Sequence, residues 1–157
     1  HIDRLAREGT PCFPFPEPAV PGLNFSFSGL KTSVLYFLRD RKAENPNFIA
    51  ENLSDICASL QQTIVTILLK KLRKAARQTG IREIAVAGGV SANSGLRSAL
   101  RQWGEKEGWN TYIPAFEYCT DNAGMIGIAA YYSCLAGQFA DYDAMPYARN
   151  QPIQLRQ

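Results

Sequence analysis

The 157-residue chain has the composition of a folded protein, since 46% of its residues are hydrophobic and 20% are charged. This balance excludes a disordered chain, and the formal net charge of +3 permits a nucleic-acid partner without requiring one. No apolar run reaches the roughly 18 residues of a membrane span, and no signal pattern opens the chain. We therefore expect a cytoplasmic protein with no membrane partner.

The N-terminal part is predicted to hold a helix end, a loop and one complete helix. Residues 2–8 are typical of a helix end. Five of the nine prolines predict an extended loop over residues 10–24, because proline removes a backbone donor and restricts φ. A short β-like stretch, residues 25–27, leads to Ser28, which is the predicted N-cap of a helix running to about Glu44.

A long amphipathic helix is predicted next. Asn45 and Pro46 suit a cap followed by proline in the first turn, and apolar residues recur every three or four positions from Ile49 to Leu72. Its last turns carry a basic cluster: Lys70, Lys71, Arg73, Lys74 and Arg77. This cluster is either a solvated helix end or a contact with a phosphate backbone, and Lys31 on the preceding helix has the same two interpretations.

Residues 81–97 predict a strand, a tight turn and a helix. An apolar run stops at Gly88 and Gly89, and a helical pattern begins after Ser91 and Asn93. Glycines let the backbone approach a ligand, and a helix start offers free N–H groups, so a phosphate or nucleotide would suit this corner. A tight turn with a capping side chain explains the same pattern. The motif is neither a Walker loop nor a dinucleotide fingerprint.

A second strand and helix follow. The helix after the glycine corner is predicted to end at Gly108, and a strand is predicted over residues 109–113. An almost wholly apolar helix then runs to Gly137 and must be buried. Before it, Asp121 is either an N-cap or an oxygen ligand for a divalent cation. Residues 138–157 are predicted to be an irregular tail.

These units predict one α/β domain over residues 1–157 that is rich in helix and has a small parallel sheet. Two or three strands make a poor sheet, so partner strands are expected outside this chain. Ligands of open α/β sheets bind at the carboxyl ends of the strands, so the two strand ends are expected to face one cleft.

The four cysteines and the single histidine restrict the chemistry. The cysteines form no Cys-x-x-Cys pair, which argues against a zinc knuckle or dithiol redox motif and favours reduced structural thiols. The single histidine is His1, so the sequence has no internal histidine. Without one, it offers no Ser/His/Asp system and no His-Glu-x-x-His zinc helix. The sequence therefore argues against a metalloprotease.

Three motifs in order carry a family resemblance. They are Phe-Ser-Phe-Ser-Gly-Leu-Lys-Thr at 25–32, Val-Ala-Gly-Gly-Val-Ser-Ala-Asn at 86–93 and Tyr-Cys-Thr-Asp-Asn at 118–122. The chain resembles the C-terminal half of the tRNA N6-adenosine threonylcarbamoyltransferases, the TsaD and Kae-type proteins once called O-sialoglycoprotein endopeptidases. The resemblance implies part of a two-lobed protein of the actin, sugar-kinase and heat-shock ATPase (ASKHA) type.

The resemblance also implies a substrate and metal site. Gly88, Gly89 and Asn93 match the contacts of the family with adenosine and phosphate, and Asp121 matches its aspartate metal ligand. The other metal ligands of the family lie upstream in a His-x-x-x-His motif, and so does its Ser-Gly-Gly loop; this sequence has neither. The implied cofactor is one divalent ion, iron or zinc, which the chain is not expected to hold by itself.

The implied activity moves a threonylcarbamoyl group from threonylcarbamoyl-adenylate to N6 of adenosine 37 in tRNAs that read codons beginning with A. The implied partners are tRNA, the adenylate and, in bacteria, TsaB-like and TsaE-like subunits. The chain alone is expected to be inactive as an enzyme. The alternative is a non-catalytic partner-binding or scaffold fragment of the same superfamily, and self-association through exposed apolar surface stays open.

Overall fold

A computed structural model describes residues 1–145, which divide into one compact unit from His1 to Thr120 and a second that begins at Asp121. In the predicted tail, residues 138–145 contain no helix or strand, and residues 146–157 lie outside the described part of the chain.

The first unit is built mainly from helices. Its elements in chain order are α1 (Ile2–Ala6), α2 (Ser28–Glu44), α3 (Phe48–Glu51), α4 (Leu53–Thr79), β1 (Glu83–Ala85), α5 (Ser94–Glu107) and β2 (Asn110–Tyr112). A short 3₁₀ helix follows each strand, Gly89–Ala92 after β1 and Phe116–Tyr118 after β2. The second unit contains α6 (Ala123–Leu135).

The two strands form a parallel pair in which Ile84 lies opposite Thr111. The chain passes from β1 through α5 to β2, since parallel strands need a crossover of this kind. The prediction of a helix-rich α/β architecture with a small parallel sheet is therefore confirmed.

The hydrophobic core of the first unit lies between α4, α5 and β1. Its buried members are Val65, Leu69, Ala76, Ile84, Leu96 and Leu100. Leu100 is 0% exposed and Leu69 is 2% exposed. Full burial of such a side chain contributes about 1.5–3 kcal/mol, so this cluster holds the strand and the two helices together.

The predicted long helix is divided at Asn52 into α3 and α4. Helical hydrogen bonds span the division: the Asn52 N–H donates to the Phe48 carbonyl at 3.0 Å, and the Ile56 N–H donates to the Asn52 carbonyl at 2.9 Å. The Asn52 side chain also donates to the Phe48 carbonyl at 2.9 Å, the kind of local bond that competes with regular helix. The cap lies at Asn47 and not at Asn45, whose side chain accepts from the Asn47 N–H.

Two predictions around the start of α2 are wrong. Residues 25–27 form no strand. Within residues 1–145 the strands are β1 and β2, and they pair with each other. The N-cap position is occupied by Phe27 without a side-chain hydrogen bond, and Ser28 is already helical. A capping residue must keep non-helical dihedral angles, so Ser28 cannot serve as the cap.

The prediction that α6 is buried is also wrong for the described chain. Its large apolar residues are exposed, from 46% for Met125 to 74% for Ile126. An apolar helix is buried only where another surface covers it, and periodicity along one chain does not say whether that surface is present. Within residues 1–145, no helix is long and apolar enough to cross a membrane.

Candidate functional site

The corner after β1 depends on Gly88. Its φ of 78° and ψ of 174° fall in a region that is open essentially only to glycine. Gly89 has no positive φ and begins the 3₁₀ helix, which the sequence did not predict. The two glycines therefore have different roles, since Gly88 makes the turn and Gly89 starts the next helical segment.

Ser91 is buried beneath this corner and bonds back to Gly88. It is 1% exposed, and its hydroxyl and its N–H both donate to the Gly88 carbonyl, at 2.7 and 2.9 Å. Residues 88–90 are exposed. Because the first turn of a helix leaves its N–H groups without intrahelical acceptors, these residues present backbone donors to solvent.

Asn93 is the N-cap of α5. Its Oδ1 accepts from the Leu96 N–H at 2.8 Å, and its Nδ2 donates to Gln61 Oε1 at 2.7 Å. The capping interpretation is therefore confirmed for Asn93, while the Ser91 hydroxyl binds Gly88 instead. Both ends of the Asn93 amide are held by the chain, so its orientation beside the corner is set before any ligand binds.

Sequence reasoning missed Asp3, which lies at the start of α5. Its Oδ1 accepts from the N–H and the hydroxyl of Ser94, at 3.0 and 2.7 Å. Its Oδ2 pairs with Arg7 at 3.2 Å. The expectation of free N–H groups at the start of α5 is wrong, because Asp3 and Asn93 already accept from them. No local pattern could reveal this contact, since Asp3 and Ser94 are 91 positions apart.

The environment of Asp3 makes stability depend on pH. Burial would raise the pKa of Asp3, but hydrogen bonds from Ser94, Arg7 and the Gly95 N–H outweigh it and hold the pKa below its ordinary value of 3.8. A carboxyl with a lowered pKa in the folded state stabilises the fold above its unfolded pKa. That stabilisation disappears as the pH falls through the folded pKa.

We expect Asp3→Asn to lower the free energy of unfolding by about 1–2 kcal/mol at pH 7, because the negative charge that accepts hydrogen bonds from the start of α5 is lost. The difference from wild type should shrink as the pH falls from the ordinary pKa of 3.8 through the lower pKa that Asp3 has in the folded state. Urea unfolding at a series of pH values measures both effects. Glu8→Gln is the control, since Glu8 is an exposed carboxylate five positions after Asp3. A pH-independent difference would contradict the assignment.

Asp121 is exposed and is not an N-cap, so that interpretation is wrong. The cap of α6 is Asn122, whose Oδ1 accepts from the Met125 N–H at 3.1 Å. Within residues 1–145, no three His, Cys, Asp or Glu side chains are grouped to hold a metal ion. Asp121 offers one carboxylate, so the residues present do not fit a metal ion by themselves.

The basic cluster at the end of α4 binds other parts of the chain. Lys70 pairs with Glu17 at 2.6 Å, and Lys71 donates to the Gly22 carbonyl at 3.0 Å. Arg73 and Arg77 both pair with Glu107, at 2.7 and 3.4 Å. These contacts tie the Pro-rich loop and the end of α5 to α4, an outcome that neither sequence interpretation included.

The fold and the corner define an α/β lobe in which a glycine turn at the carboxyl end of a strand precedes a capped helix. Residues 1–128 match the family described as "TsaD: tRNA N6-adenosine threonylcarbamoyltransferase", a family of the ASKHA type. The chain belongs to this family.

Curated relatives agree with this assignment. A protein from Cytophaga hutchinsonii is 53% identical over 94% of this chain and 43% of its own length, and one from Christiangramia forsetii is 54% identical over 94% of this chain and 44% of its own length. A protein from Salinibacter ruber is 45% identical over 87% of this chain and 41% of its own length. Each is named tRNA N6-adenosine threonylcarbamoyltransferase. The chain thus spans less than half the length of these relatives and matches their C-terminal half.

Proposed function

We propose that this chain is the C-terminal part of a longer parent enzyme that transfers a threonylcarbamoyl group from threonylcarbamoyl-adenylate to N6 of adenosine in tRNA. The observation that carries the proposal is the glycine corner of a chain that belongs to this family. Exposed backbone at residues 88–90 lies at the carboxyl end of β1, beside the oriented amide of Asn93. A phosphate-bearing nucleotide is a suitable ligand for such a corner.

In the proposed reaction the N6 amine attacks the carbonyl carbon of the carbamoyl-phosphate mixed anhydride. A C–N bond forms, the C–O bond to phosphate breaks, AMP leaves with the electron pair, and the amine loses a proton. The N–H groups of Gly89 and Val90 would donate to phosphate or to the developing oxyanion. Asn93 would contact the adenosine part of the adenylate. No covalent intermediate on the protein is needed.

We include Asp121 in this proposal as one oxygen ligand of a divalent ion, iron or zinc, whose other ligands belong to the rest of the parent. Within residues 1–145, no three His, Cys, Asp or Glu side chains are grouped to hold such an ion. No step of the transfer is therefore assigned to it.

We expect the isolated chain to transfer no threonylcarbamoyl group, whereas the full-length parent does so. The chain carries the corner but lacks the upstream phosphate loop and metal-binding histidines that the family resemblance implies. The assay contains substrate tRNA, threonylcarbamoyl-adenylate and TsaB-like and TsaE-like proteins, and it measures modified adenosine by mass spectrometry.

Asn93→Ala in the parent tests the role of the corner. Loss of the amide should reduce turnover by about 10- to 100-fold through poorer placement of the adenylate. Arg101→Ala, an exposed change on the same helix, should leave turnover unchanged. Clear turnover by the isolated chain, or full activity of the Asn93 variant, would contradict the proposal.

A second candidate function is a non-catalytic fragment that binds a partner. The exposed apolar surface of α6 favours it, since patches of this kind often mark protein interfaces. Titration of the chain with adenylate and with zinc or iron separates the two candidates. Partner binding that persists in Asn93→Ala and Asp121→Ala, with no measurable adenylate or metal binding by any form, would favour the scaffold.

A further inference from the structure

Arg97 on α5 contacts the segments that follow both strands. Its Nη1 donates to the carbonyl of Ser91, in the corner after β1, at 3.0 Å. Its Nη2 donates to the carbonyl of Pro114, in the segment after β2, at 2.7 Å. One guanidinium therefore joins the segment after β1 to the segment after β2. Both segments lie beyond the residues that pair in the sheet.

Two more contacts come from residues 115–119. The ring of Phe116 lies 4.3 Å from the guanidinium carbon, and Cys119 Sγ lies 3.6 Å from Nη1. Cys119 is 1% exposed, and its thiol also donates to the Ala115 carbonyl at 3.4 Å. Phe116, which begins the second 3₁₀ helix, and Cys119, which follows that helix, therefore both contact Arg97.

The charge of Arg97 is unusual because of where it lies. The residue is 8% exposed, and none of the ion pairs within residues 1–145 includes it. A buried cation is costly unless hydrogen bonds compensate for lost hydration. Here two backbone carbonyls and an aromatic face do so. A planar guanidinium can reach both carbonyls with separate N–H groups, which a single ammonium does less well.

We propose that Arg97 is a positioning residue for the transfer reaction, because it locks the glycine corner 88–93 to the segment 114–119. This inference rests on the proposed function for its catalytic part. The corner would hold the adenylate, and the segment 114–119 leads directly to Asp121. A change of about 1 Å in such an arrangement can cost about 100-fold in rate.

The structural part is tested in this chain by amide hydrogen exchange, which needs no activity. In Arg97→Ala, the hydrogen-bonded amides of segments 88–93 and 114–119 should exchange about tenfold faster, because their shared anchor is lost. These amides belong to Ser91, Asn93, Tyr118 and Cys119. Segment 53–79, which forms α4, should keep its protection. Arg101→Ala is the matched control, one helical turn away and exposed, and should leave all three segments unchanged. Unchanged exchange in Arg97→Ala, or equal loss of protection in α4, would overturn the proposal.

The catalytic part is tested in the full-length parent. Arg97→Ala should lower kcat by about 10- to 100-fold while the KM for tRNA stays within about twofold, since positioning and not tRNA binding is lost. Arg97→Lys should recover part of kcat. If the alanine variant does not fold, the kcat of the lysine variant tests the positioning role instead. Wild-type kcat in either variant would overturn the proposal. An inactive wild-type parent would instead overturn the proposed function, and the exchange experiment would still decide whether Arg97 locks the two segments.

Discussion

Leu100→Ala is expected to lower the free energy of unfolding by about 2–5 kcal/mol. Leu100 is 0% exposed and lies in the core cluster beside Leu69 and Ile84. Truncation removes buried methyl groups and leaves a cavity that the surrounding helices can fill only in part. Urea unfolding of the chain, followed by circular dichroism, measures the change.

Leu35→Ala is the control for this prediction. Leu35 is also an apolar residue in a helix, but it is 62% exposed on α2. Its replacement should change stability by no more than about 0.5 kcal/mol, because little buried surface is lost. Equal effects of the two substitutions would show that the core is not where the structure places it.

Gly88→Ala is expected to cost about 1–3 kcal/mol, because alanine would be forced into a backbone region that L-residues avoid. Within residues 1–145, and apart from the two chain neighbours of Gly88, no residue has an atom within 4 Å of the added Cβ, so strain and not a clash is the cause. In the parent, a corner that relaxes to relieve this strain should also lose adenylate binding. Urea unfolding and a nucleotide titration measure the two effects.

Gly89→Ala separates strain from a general intolerance of side chains at the corner. Gly89 has no positive φ, and within residues 1–145 its added Cβ would meet no atom within 4 Å beyond those of its chain neighbours. We expect a stability change within about 0.5 kcal/mol. If Gly88→Ala were as mild as Gly89→Ala, the φ of 78° would not be required for the fold.

Patterns of short range were sufficient for part of the molecule. The strands around Ile84 and Thr111 and the helix that ends before Gly108 follow from local apolar patterns and turn residues. Gly88, Gly89 and Asn93 were identified as a corner because a strand end, glycines and a cap are adjacent in the sequence. The separate roles of the two glycines were not predictable, since both glycines tolerate the same dihedral angles.

Contacts between residues that are distant in sequence could not be predicted from local patterns. Asp3 meets Ser94 only after α1 packs against α4, and Arg97 meets Pro114 only after β2 pairs with β1. The basic residues Lys70 and Lys71 were open to two interpretations because their partners lie about 50 positions away in the Pro-rich loop.

The sequence by itself determined the family, the α/β class and the position of the glycine corner, because each depends on residues that are neighbours along the chain. Only the tertiary structure decided which donors of that corner are left for a ligand and which residue links it to the segment before Asp121. Asp3 and Asn93 accept hydrogen bonds from the start of α5, and Arg97 joins the segments that follow the two strands. The physical reason is that hydrogen-bond saturation and burial depend on packing between segments that are distant in sequence.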